Sequence, residues 1–163
     1  MKQILFLLLM LVTTAAHSAT PSVLRSKTIE ASVGVNMTAR GPDNQLRQVS
    51  GAIKQTIYIS SLGRIFTRQT LTSAFSANAN DLPVASTASV VGRNMVVPVP
   101  LIRGRASARI SFDSQFSNCS VQGSVGPGPI KFKGSDGKIY ESVSPITFGS
   151  NSCSIQAGNA FGG

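Results

Sequence analysis

Leu101–Asp113, LIRGRASARISFD, is the stretch that decides the fold class. Ile102, Gly104, Ala106, Ala108, Ile110 and Phe112 fall on one side; Arg103, Arg105, Ser107, Arg109, Ser111 and Asp113 fall on the other. A period of two belongs to a strand with one buried and one wet face.

The same rhythm recurs outward from it. Thr28–Met37 places Ile29, Ala31, Val33, Val35 and Met37 on one face. Ile53–Ser60 and Ile65–Leu71 flank Ser61-Leu62-Gly63-Arg64 and read as a hairpin, with Gly63 suited to a left-handed turn position. Arg40–Arg47 contains Gly-Pro-Asp-Asn, strong turn punctuation. Val90–Pro100 carries Pro98 and Pro100, which cannot donate to a ladder, so it reads as an edge strand or an extended segment. Toward the C-terminus come short strands at Val121–Val125, Ile130–Lys133 and Lys138–Val143, the last two around a Gly134–Gly137 turn. Ile146–Phe148 and Ser154–Gln156 read as separate closing strands, and Asn159–Gly163 as a flexible tail on which Phe161 has the means to dock. Thr72–Ser89, rich in Ser, Ala, Asn and Thr, breaks the rhythm and reads as a long loop, with one frayed helical turn as the alternative. Even spacing without strand–helix alternation points to an all-β fold, a small antiparallel sandwich or barrel of about eight short strands.

The N-terminus reads as an export signal. Met1, Lys2 and Gln3 precede the apolar run Ile4–Val12, and the small residues after it place cleavage at Ala16, Ser18 or Ala19. The run is too short to span a bilayer, and no later segment is long and apolar enough to do so. The expected organisation is therefore a cleaved signal peptide at 1–19 and one β-rich domain at 20–163, secreted or periplasmic. In such an oxidising compartment the two cysteines, Cys119 and Cys153, read as a disulfide.

Composition narrows the chemistry. The only histidine, His17, lies in the signal region. Beyond it there is no imidazole for a Ser–His or Cys–His nucleophile system or for a zinc site. The six carboxylates, Glu30, Asp43, Asp81, Asp113, Asp136 and Glu141, are scattered, and three of them have turn neighbours. Ser135-Asp136-Gly137-Lys138 has the spacing of an acyl-enzyme motif, but that chemistry needs a helix N-terminus rather than a hairpin turn. No catalytic residue, metal ligand or cofactor is expected. A carboxylate- or Lys-based hydrolase ranks last among the readings.

Charge carries the positive expectation. The chain has 15 Lys and Arg against 6 Asp and Glu, a net +9. Arg103, Arg105 and Arg109 share one strand face, about 6.6 Å apart at i and i+2. Arg64, Arg68, Lys131 and Lys133 would enlarge that patch if their strands were neighbours on the same sheet face. Arg forks suit phosphate, sulfate and carboxylate. The expected function is a non-enzymatic structural or binding module at the envelope. Its expected partners are an anionic polysaccharide, lipopolysaccharide or another envelope protein. The missing aromatic interleaving argues against nucleic acid. Cations on a wet strand face also serve plain solubility. The alternative is a protein-binding module docking through an edge strand such as Val96–Leu101.

Overall fold

The computed structural model describes residues 20–73, 77–78, 84–85, 87–134 and 136–162, with side chains from 71 to 86 left aside. The expected signal peptide lies outside the described residues, as does part of the expected loop over 72–89. After a single 3₁₀ turn at Ser22–Leu24 the described chain is all-β, in two antiparallel sheets.

The larger sheet is organised around β1 (Lys27–Arg40), which pairs along its whole length with β2 (Leu46–Ile59). Beyond β2 comes β3 (Ile65–Ser73), whose far side meets the two-residue strands β4 (Ala77–Asn78) and β5 (Val84–Ala85). The smaller sheet runs β6 (Val90–Val91), β7 (Asn94–Pro98), β8 (Ala106–Phe112) and β9 (Cys119–Val125). The chain then returns to the larger sheet as the hairpin β10 (Lys131–Lys133) and β11 (Ile139–Ser142), and closes with β12 (Thr147–Ala157). The second edge of β1 is shared: β12 occupies Lys27–Asn36 and β11 occupies Ala39–Arg40.

Alternation explains the layering. Odd residues of β1, from Ile29 to Ala39, are buried; Glu30, Asn36 and Arg40 are exposed. Ile29, Val33, Ile57 and Ile59 of the larger sheet meet Met95, Val97, Ile110 and Val121 of the smaller one in one core. Burial of such side chains is worth about 1.5–3 kcal/mol each. A second cluster at the far end joins Met37, Ala39 and Val49 to Ile130, Phe132 and Tyr140. Among the described residues the buried polar side chains are all satisfied, as burial demands. Gln55 donates to Gln69 at 2.7 Å, and Ser142 Oγ accepts from Ile130 N at 2.9 Å. Thr28 Oγ1 donates to Gly158 O at 2.8 Å and accepts from Ala160 N at 3.0 Å.

Cys119 and Cys153 form the expected disulfide, which joins β9 of the smaller sheet to β12 of the larger. Several boundaries differ from the sequence reading. The strand expected over Leu101–Asp113 begins at Ala106, because Gly104 at φ 91° turns the chain out of line. The two expected closing strands are one, Thr147–Ala157, interrupted by a bulge opposite Gly34 rather than by a loop. The tail is docked: besides covering Thr28, it sets the Phe161 ring 5.2 Å from the Arg68 guanidinium.

Candidate anion-binding surface

Antiparallel register assembles a lateral row on the outer face of the larger sheet. Arg40 of β1 stands opposite Glu141 of β11, and Glu141 stands opposite Lys131 of β10. Lys131 in turn pairs with Arg103, which belongs to the loop joining β7 to β8 of the smaller sheet. Ile102 N and Arg103 N donate to Lys131 O at 2.9 and 3.3 Å, and Lys131 N donates to Arg103 O at 2.9 Å. Directly opposed residues share a face, so these four side chains lie side by side at steps of about 4.7–5.5 Å. Lys133 extends the row along β10, because Phe132 between the two lysines points inward and is buried against Tyr140.

Gly104 makes this arrangement possible. Its φ of 91° suits glycine, and a Cβ there would stand 2.8 Å from Ile130 Cγ2. The chain can therefore leave the Lys131 pairing at Arg103 and re-enter the smaller sheet as β8 three residues later.

The electrostatics are one-sided. Lys131 Nζ lies 3.6 Å from Glu141 Oε2, both side chains about one-third exposed. Such a pair is worth at most about 1 kcal/mol. Arg40, Arg103 and Lys133 form no ion pair among the described residues. Four cations around one carboxylate leave three positive charges (4 − 1) facing solvent.

The other expected cations go elsewhere. Arg109 is exposed on the outer face of the smaller sheet, between Val96 and Gln122. Arg105 follows the same register: its carbonyl accepts from Gly126 N at 2.8 Å, and it lines a shallow groove of about 630 Å³ with Pro98, Pro100 and Leu101. The expected Arg103–Arg105–Arg109 row is thus divided between two sheets. Arg64 sits in the β2–β3 turn, and Arg68 is engaged with Phe161 at the opposite end of the larger sheet. The structure adds Arg40 and Glu141, which the sequence offered only as a turn flank and a lone carboxylate. No local signal could have joined them to Lys131, since strand order makes them neighbours.

Three aspartates serve their own turns. Asp43 accepts from Gln45 N at 3.1 Å and from Arg47 Nη1 at 2.7 Å; the Arg47 bond holds its carboxyl well below the ordinary range and raises Arg47 in return. Asp136 accepts from Lys138 N at 3.0 Å and from the Tyr140 hydroxyl at 2.9 Å. Those bonds, the backbone one foremost, lower its carboxyl, while Tyr140 is raised by donating to it. Asp113 accepts from the Ser117 hydroxyl at 2.7 Å and from Asn118 Nδ2 at 3.0 Å, which with two backbone N–H groups bring it down to about 2.

The chain matches no family model, no curated protein and no solved structure.

Proposed function

We propose that the protein is an exported, non-enzymatic β-sandwich that binds an anionic polymer at the envelope through the row Arg103–Lys131–Glu141–Arg40 with Lys133. The observation that carries this reading is the backbone pairing of Arg103 with Lys131, which fixes two cations side by side in register. Cations spaced by strand geometry meet successive anionic groups of an extended chain without reordering, so less side-chain entropy is lost on binding. Lipopolysaccharide and acidic polysaccharide both present such groups. Burial of Phe132 and Tyr140 leaves no stacking platform between the cations, which favours saccharide or phosphate over single-stranded nucleic acid. The use of Asp43, Asp113 and Asp136 as turn caps supports a role other than acid–base chemistry.

The test is binding to immobilised heparin and to lipopolysaccharide across a salt series. Binding should weaken as salt rises. The triple substitution Arg103→Gln, Lys131→Gln and Lys133→Gln should weaken it by about 1–3 kcal/mol, roughly 5- to 150-fold. Arg109→Gln, on the other sheet, should leave it nearly unchanged. Salt-independent binding, or an equal loss from Arg109→Gln, would remove the case for this row.

A further inference from the structure

The two longest charge-free stretches after the apolar leader are 114–130 and 142–163. In a chain of net +9 they form two sheet edges on the same side of the molecule, β9 and β12, tied by the Cys119–Cys153 disulfide.

The β12 edge is open. Gly158 N donates to Ser26 O, and antiparallel bonding alternates from there. Ser152, Ser154 and Gln156 therefore turn their backbone groups toward β1, while Asn151, Cys153, Ile155 and Ala157 turn theirs outward. Among the described residues these four have no backbone partner on that side. Exposed edges are ordinarily blunted by Lys, Pro, bulges or a covering segment. The molecule uses those devices elsewhere: Pro98 in β7, the Ile102–Arg103 backbone along β10, β4 and β5 along β3. On β12 the bulge at Gly149–Ser150 ends before Asn151, and Asn151–Ala157 contains no charge, proline or glycine. The β9 edge is the weaker candidate, since Gly123 at its centre lowers its pairing strength.

We infer that β12 is a self-association edge whose occupant is a second copy of this chain, paired antiparallel about a two-fold axis at Ser154. The segment is self-complementary in that register. Asn151 meets Ala157 and Cys153 meets Ile155, in both directions, giving four narrow pairs of two bonds each, eight in all. On the outer face Ser152 meets Gln156 and Ser154 meets its own copy, polar pairs without opposed charge. For a chain this cationic, an uncharged strand is the edge on which two copies meet without bringing like charges together. The closed two-fold uses up both edges and leaves none for further growth.

Sedimentation of the oxidised protein without its leader, residues 20–163, over a hundredfold range of concentration tests this. The expected result is a two-chain mass that falls to one on dilution. Ser154→Glu places a carboxylate beside its copy, with Glu30 on the neighbouring strand adding to the repulsion, and should give a single-chain mass throughout. Mixing it with Ser154→Lys should restore the two-chain mass, which a misfolded variant could not do. Three results overturn the inference: a single-chain wild type at every concentration, a dimer that survives Ser154→Glu, or a mixture that stays monomeric. None of these depends on polymer binding, so the two proposals fail separately.

Discussion

Removing the disulfide by Cys119→Ala with Cys153→Ala should cost the fold about 3.8 kcal/mol. The 34-residue separation sets the magnitude. On the chain-entropy account, closing a loop of that length removes about 12.6 cal/mol/K from the unfolded chain, or about 3.8 kcal/mol at 25 °C. The structure gives reason to expect most of that figure. Cys153 stands opposite Ala31 in the β1 ladder, and both cysteines pack against the shared core as partly buried side chains. Alanine at both positions deletes a small buried volume and leaves the ladders intact. Against a domain stability of about 5–15 kcal/mol the loss is a large fraction, and for this size it lowers Tm by about 10–15 °C. The assay is urea unfolding followed by circular dichroism, comparing midpoint and slope for the oxidised wild type and the double variant. Because the cross-link restrains the unfolded chain, the variant should show a lower midpoint and an equal or slightly steeper slope. A loss below about 1 kcal/mol would refute the reasoning. It would mean that the unfolded chain keeps β9 near β12 without the bond.

Two further outcomes follow from particular geometry. Gly104→Ala should destabilise by about 1–3 kcal/mol, because φ is 91° and its new Cβ would press on Ile130; displacement of Arg103 from Lys131 should also weaken heparin binding, and unchanged binding would separate that pairing from the site. Hydrogen bonds from Ser117 and Asn118 hold the Asp113 carboxyl at about 2 in the folded protein, against an ordinary 3.8, so its stabilisation is complete above about pH 5 and is lost progressively as pH falls through 2. Tm of Asp113→Asn should therefore be lower than wild type at neutral pH and fall less steeply between pH 4 and 2, and parallel profiles would contradict the assignment.

Much of the fold was legible in sequence because period-two alternation is a local property. Ile65–Leu71 and its Gly63 turn, the Asp136–Gly137 turn and the Cys119–Cys153 bridge all follow from residue type and spacing. The site was less legible. Alternation across 101–113 placed Arg103, Arg105 and Arg109 on one face, but Gly104, which also satisfies an apolar pattern, breaks the strand and sends Arg103 to the other sheet. The tail carries no periodic signal, and it is ordered by Thr28 and Arg68, more than 90 residues away in the chain.

The sequence by itself determined the strands, their buried faces, the turns, the excess of positive charge and the two charge-free stretches, since each is set by residues adjacent along the chain. Tertiary structure alone decided which strands are neighbours. Hydrogen-bond register between distant segments is indifferent to side-chain charge. It brings Arg40, Glu141, Lys131 and Arg103 into one row and leaves β12, among the described residues, as an open edge of the larger sheet.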